Sequence, residues 1–315
     1  LTLLTASLNA QILRALAGGP LRLAELRKEV GGPAQSTLRG NLAKLAEIGA
    51  LQKRTRKNGS SVQEYELTPC GQDLLLAAGA VEAWLSLAPG GPLAPDSNAA
   101  KVAIKALIGG WTTAIMRALA ARPLTLTELD KLIDRCTYPA LERRLSAMRL
   151  AGQIELTDRN GSMGRHYKVE PWLRHAIGPL TVAARCERRC LREATAPIAR
   201  IDVEAAFLLV IPMIELCASA SGVCQLAVEA GGRHAGRPWA GVQLTLEDGA
   251  VTSCVARLEA QPENWVMGTA SSWMDAVIGR ETEVLEFGGD GELGRDLVNG
   301  LHDALFGQFA MSQGD

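Results

Sequence analysis

One stretch of this chain occurs twice, and nothing else in the sequence narrows the possible folds as much. Residues 14–26 read RALAGGPLRLAEL and residues 117–129 read RALAARPLTLTEL, so that an offset of 103 repeats Arg117, Ala118, Leu119, Ala120, Pro123, Leu124, Leu126, Glu128 and Leu129. The echo runs on, with Leu141 falling on Leu38, Leu145 on Leu42, Met148 on Leu45 and Gly152 on Gly49. One deletion then moves the offset to 102, where Tyr167 matches Tyr65 and Pro171 matches Pro69. A stacked solenoid repeats every ~20–50 residues, so this period marks a duplicated domain instead. With 315 residues, the chain has room for both copies and a further domain.

Charge divides the chain in a way its net value of −1 conceals. Residues 1–200 hold 28 Lys and Arg against 17 Asp and Glu, whereas residues 201–315 hold 5 against 17. Such asymmetry fits a front that faces a polyanion and a tail with another task, or else two unrelated solvated surfaces. The placement of the basic residues decides between them.

In the first copy, Leu8, Ile12, Leu13 and Leu16 share a helix face that Gly18-Gly19-Pro20 ends. Leu23–Val30 forms a second helix, and Gly31-Gly32-Pro33 turns the chain into a third over Gln35–Ile48. Leu38, Leu42 and Leu45 point inward from that third helix, leaving Ser36, Arg39 and Lys44 outside, with Ser36 or Thr37 as a natural cap. Two strands, Leu51–Arg56 and Val62–Leu67, then flank Asn58-Gly59, a strong hairpin signal. Lys53, Arg54, Arg56 and Lys57 load the hairpin with positive charge. A basic hairpin alone is a guarded edge strand. Three helices followed by one spell a winged helix-turn-helix, whose third helix enters the major groove while the wing follows the backbone.

After the Pro- and Gly-rich segment 88–98, the second copy opens with IGGWTTAIMRALAARPLTLTEL. Gly109, Trp111, Ile115, Leu119, Pro123, Leu124 and Glu128-Leu129 resemble the signature of the HxlR branch of bacterial winged-helix regulators, with Met116 and Leu126 as departures. The first copy follows it from Ile12 onward. In the second copy, Arg143 and Arg144 lie on the recognition helix Pro139–Leu150, and Arg159 and Arg165 on a wing that turns at Asn160-Gly161. His166 is read as a surface residue. Residues 171–195 are helical around Pro179, and Arg185, Arg188, Arg189 and Arg192 form either a solvated face or a phosphate clamp. The resemblance implies dimers straddling a palindromic site on double-stranded DNA. Two fused copies can supply the pair as an internal pseudo-dimer, with a homodimer of the whole chain as the alternative.

Beyond residue 197 the pattern changes to an apolar helix broken at Pro212, strands at Val223–Glu229, Trp239–Leu246 and Val251–Leu258, then helix, strand and helix. This order reads as α+β. Trp265, Gly268, Trp273, Gly289-Asp290, Leu297, Leu301, Leu305 and Phe306 resemble the sterol carrier protein type-2 domain. That resemblance implies one sheet with helices over an apolar tunnel. Its expected lining is Phe207, Leu208, Ile211, Trp239, Trp265, Met267, Trp273, Met274 and Phe287, where large rings and thioethers suit an adaptable pocket.

The remaining chemistry is mostly absent. Seven scattered cysteines without a CxxC pair predict reduced thiols in a cytoplasmic protein, not a disulfide framework or a metal site. No cationic leader precedes an apolar core, which predicts no secretion signal, and the apolar run Ala205–Ile214 is too short for the ~20 residues of a membrane span. Gly289, Gly291 and Gly294 spell GxGxxG, but a dinucleotide site also needs a second strand with an acidic ribose partner ~20 residues on, and Asp290 and Glu292 would repel a pyrophosphate, so no such site is expected. No GxSxG, HExxH or Walker loop occurs, so no enzyme, cofactor or metal is expected. The resulting expectation is an α+β chain: winged helices at 1–88 and 101–196 joined by a linker at 89–100, then a sterol-carrier-like domain at 197–315. It would be a bacterial transcription regulator responding to a hydrophobic small molecule. The alternative is a hydrophobic-ligand binding or sequestering protein whose winged helices mediate protein contacts.

Overall fold

The computed structural model describes residues 1–58, 60–108, 111–134, 136–158, 165–190, 198–230 and 239–310. The first unit runs α1 (Ser7–Ala17), β1 (Leu21–Arg22), α2 (Leu23–Glu29), α3 (Gln35–Glu47), β2 (Leu51–Asn58), β3 (Ser60–Leu67) and α4 (Pro69–Ser86). Its sheet has the order β1-β3-β2, all antiparallel, with Leu21 opposite Tyr65 and Leu51 opposite Leu67. Ile12, Leu13, Leu26, Leu38 and Leu45 are wholly buried, so the helical periodicity reports the core correctly.

The same succession recurs. After α5 (Asn98–Ile108) come α6 (Thr112–Ala121), β4 (Leu124–Thr125), α7 (Leu126–Leu132), α8 (Tyr138–Leu150), β5 (Ile154–Asp158), β6 (Arg165–Val169), α9 (Pro171–His175) and α10 (Ile177–Cys190). The second sheet has the order β4-β6-β5, with Leu124 opposite Tyr167 and Ile154 opposite Val169. Helices α7 and α8 begin and end 103 residues after α2 and α3, and Pro171 opens α9 as Pro69 opens α4. His166 is buried rather than on the surface, because β6 is the central strand of this sheet.

The two units meet along α4 and α10. Trp84 and Trp172 stack at 4.4 Å between centroids, 7° from parallel. Each indole N–H donates to the other residue's carbonyl, Trp84 Nε1 to Trp172 O at 2.9 Å and Trp172 Nε1 to Trp84 O at 2.7 Å. These two bonds and the stack fasten the first unit to the second at one end of their contact.

The third unit comprises α11 (Arg200–Val210), β7 (Gly222–Glu229), β8 (Trp239–Glu247), β9 (Ala250–Val255), β10 (Trp265–Thr269), α12 (Ala270–Gly279), β11 (Glu286–Gly288) and α13 (Gly291–Ala310). Its five strands lie in the order β11-β10-β7-β8-β9, with β10 parallel to β7 and the other pairs antiparallel. Gly294 serves the packing of α13 on this sheet. A Cβ there would stand 2.7 Å from the Phe287 ring and 2.9 Å from Val266. The GxGxxG pattern is therefore a close helix–sheet approach. Helix α11 packs on α6 as well as on β8, so the third unit is joined to the second by a helix pair. Among the described residues no single helix is long and apolar enough to cross a membrane.

Candidate nucleic-acid interface and an adjoining cavity

Helix α3 buries Leu38, Leu42 and Leu45, and this turns Ser36, Arg39 and Lys44 to solvent together. Its N-cap is Ala34 with no side-chain cap, so the expected cap from Ser36 or Thr37 is not formed. The turn before it is held by Arg27, whose Nε donates to Pro33 O at 2.8 Å. Lys53 and Arg54 are exposed on the hairpin, Lys53 lying 5.9 Å above the Tyr65 ring and Arg54 3.6 Å from Glu66. An exposed ion pair of that kind is worth ~0–1 kcal/mol and leaves Arg54 free to exchange partners. The side chains of Arg56 and Lys57, and all of Arg159, lie outside the described residues.

Residues 3–88 match the HxlR-like helix-turn-helix family. The matched stretch contains α3, β2 and β3, and it suggests a DNA-binding transcription regulator. The match falls on the first copy, while Gly109 and Trp111, which prompted the resemblance, lie beyond it. No curated protein matches the chain.

The second unit has the same order of helices and strands as the matched stretch, with different outer chemistry. Arg143 and Arg165 are exposed, but the neighbouring Arg144 turns inward. Its Nε donates to Thr112 Oγ1 at 2.9 Å, and its Nη2 reaches Ala106 O, so Arg144 ties α8 to α5 and α6 and is removed from the expected DNA face. Leu132, Tyr138 and Leu150 stand exposed where the HxlR-like domain has Glu29, Gln35 and Glu47. Of the four arginines expected near the end of α10, Arg185 and Arg189 are both paired with Asp73 and Asp275, and Arg192 lies outside the described residues.

An apolar cavity of about 330 Å³ lies between the second and third units. Met116 from α6, Ile177, Leu180 and Ala184 from α10, Val203, Phe207 and Val210 from α11, Trp273, Met274 and Val277 from α12, and Leu301 and Leu305 from α13 line it. Among the described residues, its polar lining is Thr113, Thr181 and Asp202. Of the nine expected lining residues only Phe207, Trp273 and Met274 reach it. Phe207 meets Trp273 edge-on at 5.3 Å, and Trp273 Nε1 is anchored on Ala227 O at 2.8 Å. The others serve the sheet or the core. Leu208 and Ile211 are buried, the Trp265 ring covers Gly288, and Phe287 lies under Arg295, while Trp239 and Met267 are half-buried on β8 and β10 away from the cavity. The expected pocket inside the tail is thus displaced to the seam, and no periodicity within the tail could have named Met116 or Leu180. Beside it, Glu204 is buried and accepts from both Arg117 and Arg200.

The cysteines also depart from expectation. Cys70 at the start of α4 and Cys190 at the end of α10 form a disulfide with 5.6 Å between Cα atoms, and Cys186 lies 3.8 Å from Cys190. The packing of α4 on α10 brings together residues 120 apart in sequence. Scatter along the chain is therefore no guide to their separation.

Proposed function

We propose that this chain is a one-component transcription regulator in which the HxlR-like domain and a second winged helix read one DNA duplex under the control of a hydrophobic small molecule. The reading assigns it no catalytic step, and it takes the third unit as a sterol-carrier-like sensor. Arg39, Lys44 and Arg54 would contact DNA from the first head, with Arg56 and Lys57 of the same wing, and Arg143, Arg159 and Arg165 from the second. The observation that carries the coupling is the double role of α10. It walls the cavity with Ile177, Leu180 and Ala184, and it packs along α4 at the junction of the two heads. A ligand that spreads α10 from α11 alters the relation of the heads, and recognition helices must stand about 34 Å apart to share a duplex. Its volume is at the small end of the ~300–1,000 Å³ of ligand pockets, and its walls are almost entirely apolar.

The test is a DNA titration by fluorescence anisotropy at fixed salt, with and without a hydrophobic probe such as 1-anilinonaphthalene-8-sulfonate. The wild type should lose affinity by ~5–150-fold when probe binds, the range of ordinary coupling. Ala206→Phe, which fills the cavity, should abolish the difference. Coincident curves with probe bound would make the third unit a passenger. A chain that binds the probe but no DNA would favour a sequestering protein, with exposed Leu132, Tyr138 and Leu150 as its contact face.

A further inference from the structure

The seam between the first two units has two ends, and the duplication relates them. At the offset of 102 that aligns Pro69 with Pro171, Trp172 corresponds to Cys70 and Trp84 to Cys186. The pair Trp84–Trp172 at one end is therefore answered by Cys70–Cys186 at the other. One end is closed by the stacked indoles. The other carries three sulfurs, those of Cys70, Cys186 and Cys190, all within 4.8 Å of one another.

We propose that, once the Cys70–Cys190 bond is reduced, these three cysteines form a binding site for a soft, thiophilic metal ion, with monovalent copper as the ion the donor set fits best. Metal–sulfur bonds of ~2.3 Å in a trigonal arrangement place sulfurs roughly 4 Å apart. Cys186 and Cys190 already stand at 3.8 Å, one helical turn apart on α10, and Cys70 needs only to swing away from Cys190. Among the described residues no histidine or carboxylate completes a fourth position. Asp73, one turn along α4 from Cys70, is held by Arg185 and Arg189. Zinc in structural sites takes four ligands, whereas three thiolates suit a soft monovalent ion.

Cys70 lies in the first turn of α4. In the balanced step a phosphine reductant first gives two electrons to the disulfide. The ion then forms three metal–sulfur bonds as up to three protons leave to water, with no change in its oxidation state.

The experiment uses the full chain, reduced with tris(2-carboxyethyl)phosphine under argon and titrated with cuprous ion against bathocuproine disulfonate. One ion per chain is expected, with a sulfur-to-copper absorption band. Cys70, Cys186 and Cys190 should be shielded from alkylation while Cys217 and Cys136 react. C186S should weaken binding by more than the ~100-fold typical of losing a mere supporting partner. C186S and C186A should still form the Cys70–Cys190 disulfide under air, which shows that the seam is intact. Uptake unchanged in C186S, copper shared among the other cysteines, or a reduced protein with no stoichiometric site would each overturn the proposal and leave only a structural disulfide. Preference for zinc at the same three sulfurs would overturn the choice of ion.

Discussion

Replacing Trp84 by Phe tests whether the stacked indoles hold the first two units together. Trp84 is fully buried and Trp172 is 4% exposed, so neither ring can recover its partner from solvent. The substitution removes the N–H that donates to Trp172 O and leaves that carbonyl buried and unpaired, a cost of about 1–3 kcal/mol. The smaller ring also leaves a gap against Trp172 and weakens a stacked contact worth about 0.5–1.5 kcal/mol. The expected loss is therefore about 2–4 kcal/mol, and Trp84→Ala should approach the upper part of the ~3–5 kcal/mol seen for buried Trp truncations. Because the two indoles share one stack and two reciprocal bonds, W84F and W172F should be non-additive by about 0.5–3 kcal/mol. Urea unfolding followed by circular dichroism, on oxidised protein so that the two units stay tethered, measures the three single variants and the W84F/W172F double mutant. A loss under about 0.5 kcal/mol for W84F, with an additive double mutant, would refute the seam as the element joining the heads.

The adjacent arginines of α8 should behave oppositely. Arg143→Ala should weaken DNA binding and leave thermal stability unchanged, whereas Arg144→Ala, which removes the guanidinium donor to Ala106 O and Thr112 Oγ1 and leaves these two only each other, should cost about 1–3 kcal/mol of stability. Equal stability of the two variants would contradict the inward placement of Arg144. Opening the Cys70–Cys190 bond, which closes a 120-residue separation, should destabilise the chain by about 2–4 kcal/mol, with a chain-entropy ceiling near 5 kcal/mol. Guanidinium midpoints of C70S and wild type give the value, and coincident midpoints would exclude it. The Glu128 carboxyl is held at about 2, below its usual 4.5, first by the Thr125 N–H at 2.7 Å and then by Arg122 and the Thr125 hydroxyl. Its contribution is complete above pH 4.5 and is lost as pH falls through 2, so Glu128→Gln should flatten the stability profile across that window. Melting curves that keep the wild-type slope would show the cap to be inert.

Local order was legible in the residues. The 103-residue offset alone places α7 and α8, because turn residues and buried leucines recur at fixed spacing and each unit makes its own helices and hairpin from near neighbours. The partition of charge between front and tail was equally plain. What tertiary structure decided is whatever depends on contacts between units. Arg143 and Arg144 are identical in type and one position apart, yet successive helix positions point about 100° apart, and only the packing of α8 on α5 and α6 says which one is spent inside. Phe287 and Trp265 fit a pocket by composition, but the closeness of Gly288 and Gly294 commits their rings to the sheet. The cavity takes walls from α6, α10, α11, α12 and α13, and the sulfur cluster needs α4 beside α10. Periodicity tells a side chain which face of its own element it occupies. Which distant element covers that face is set by the docking of whole units, and no window of sequence contains both partners.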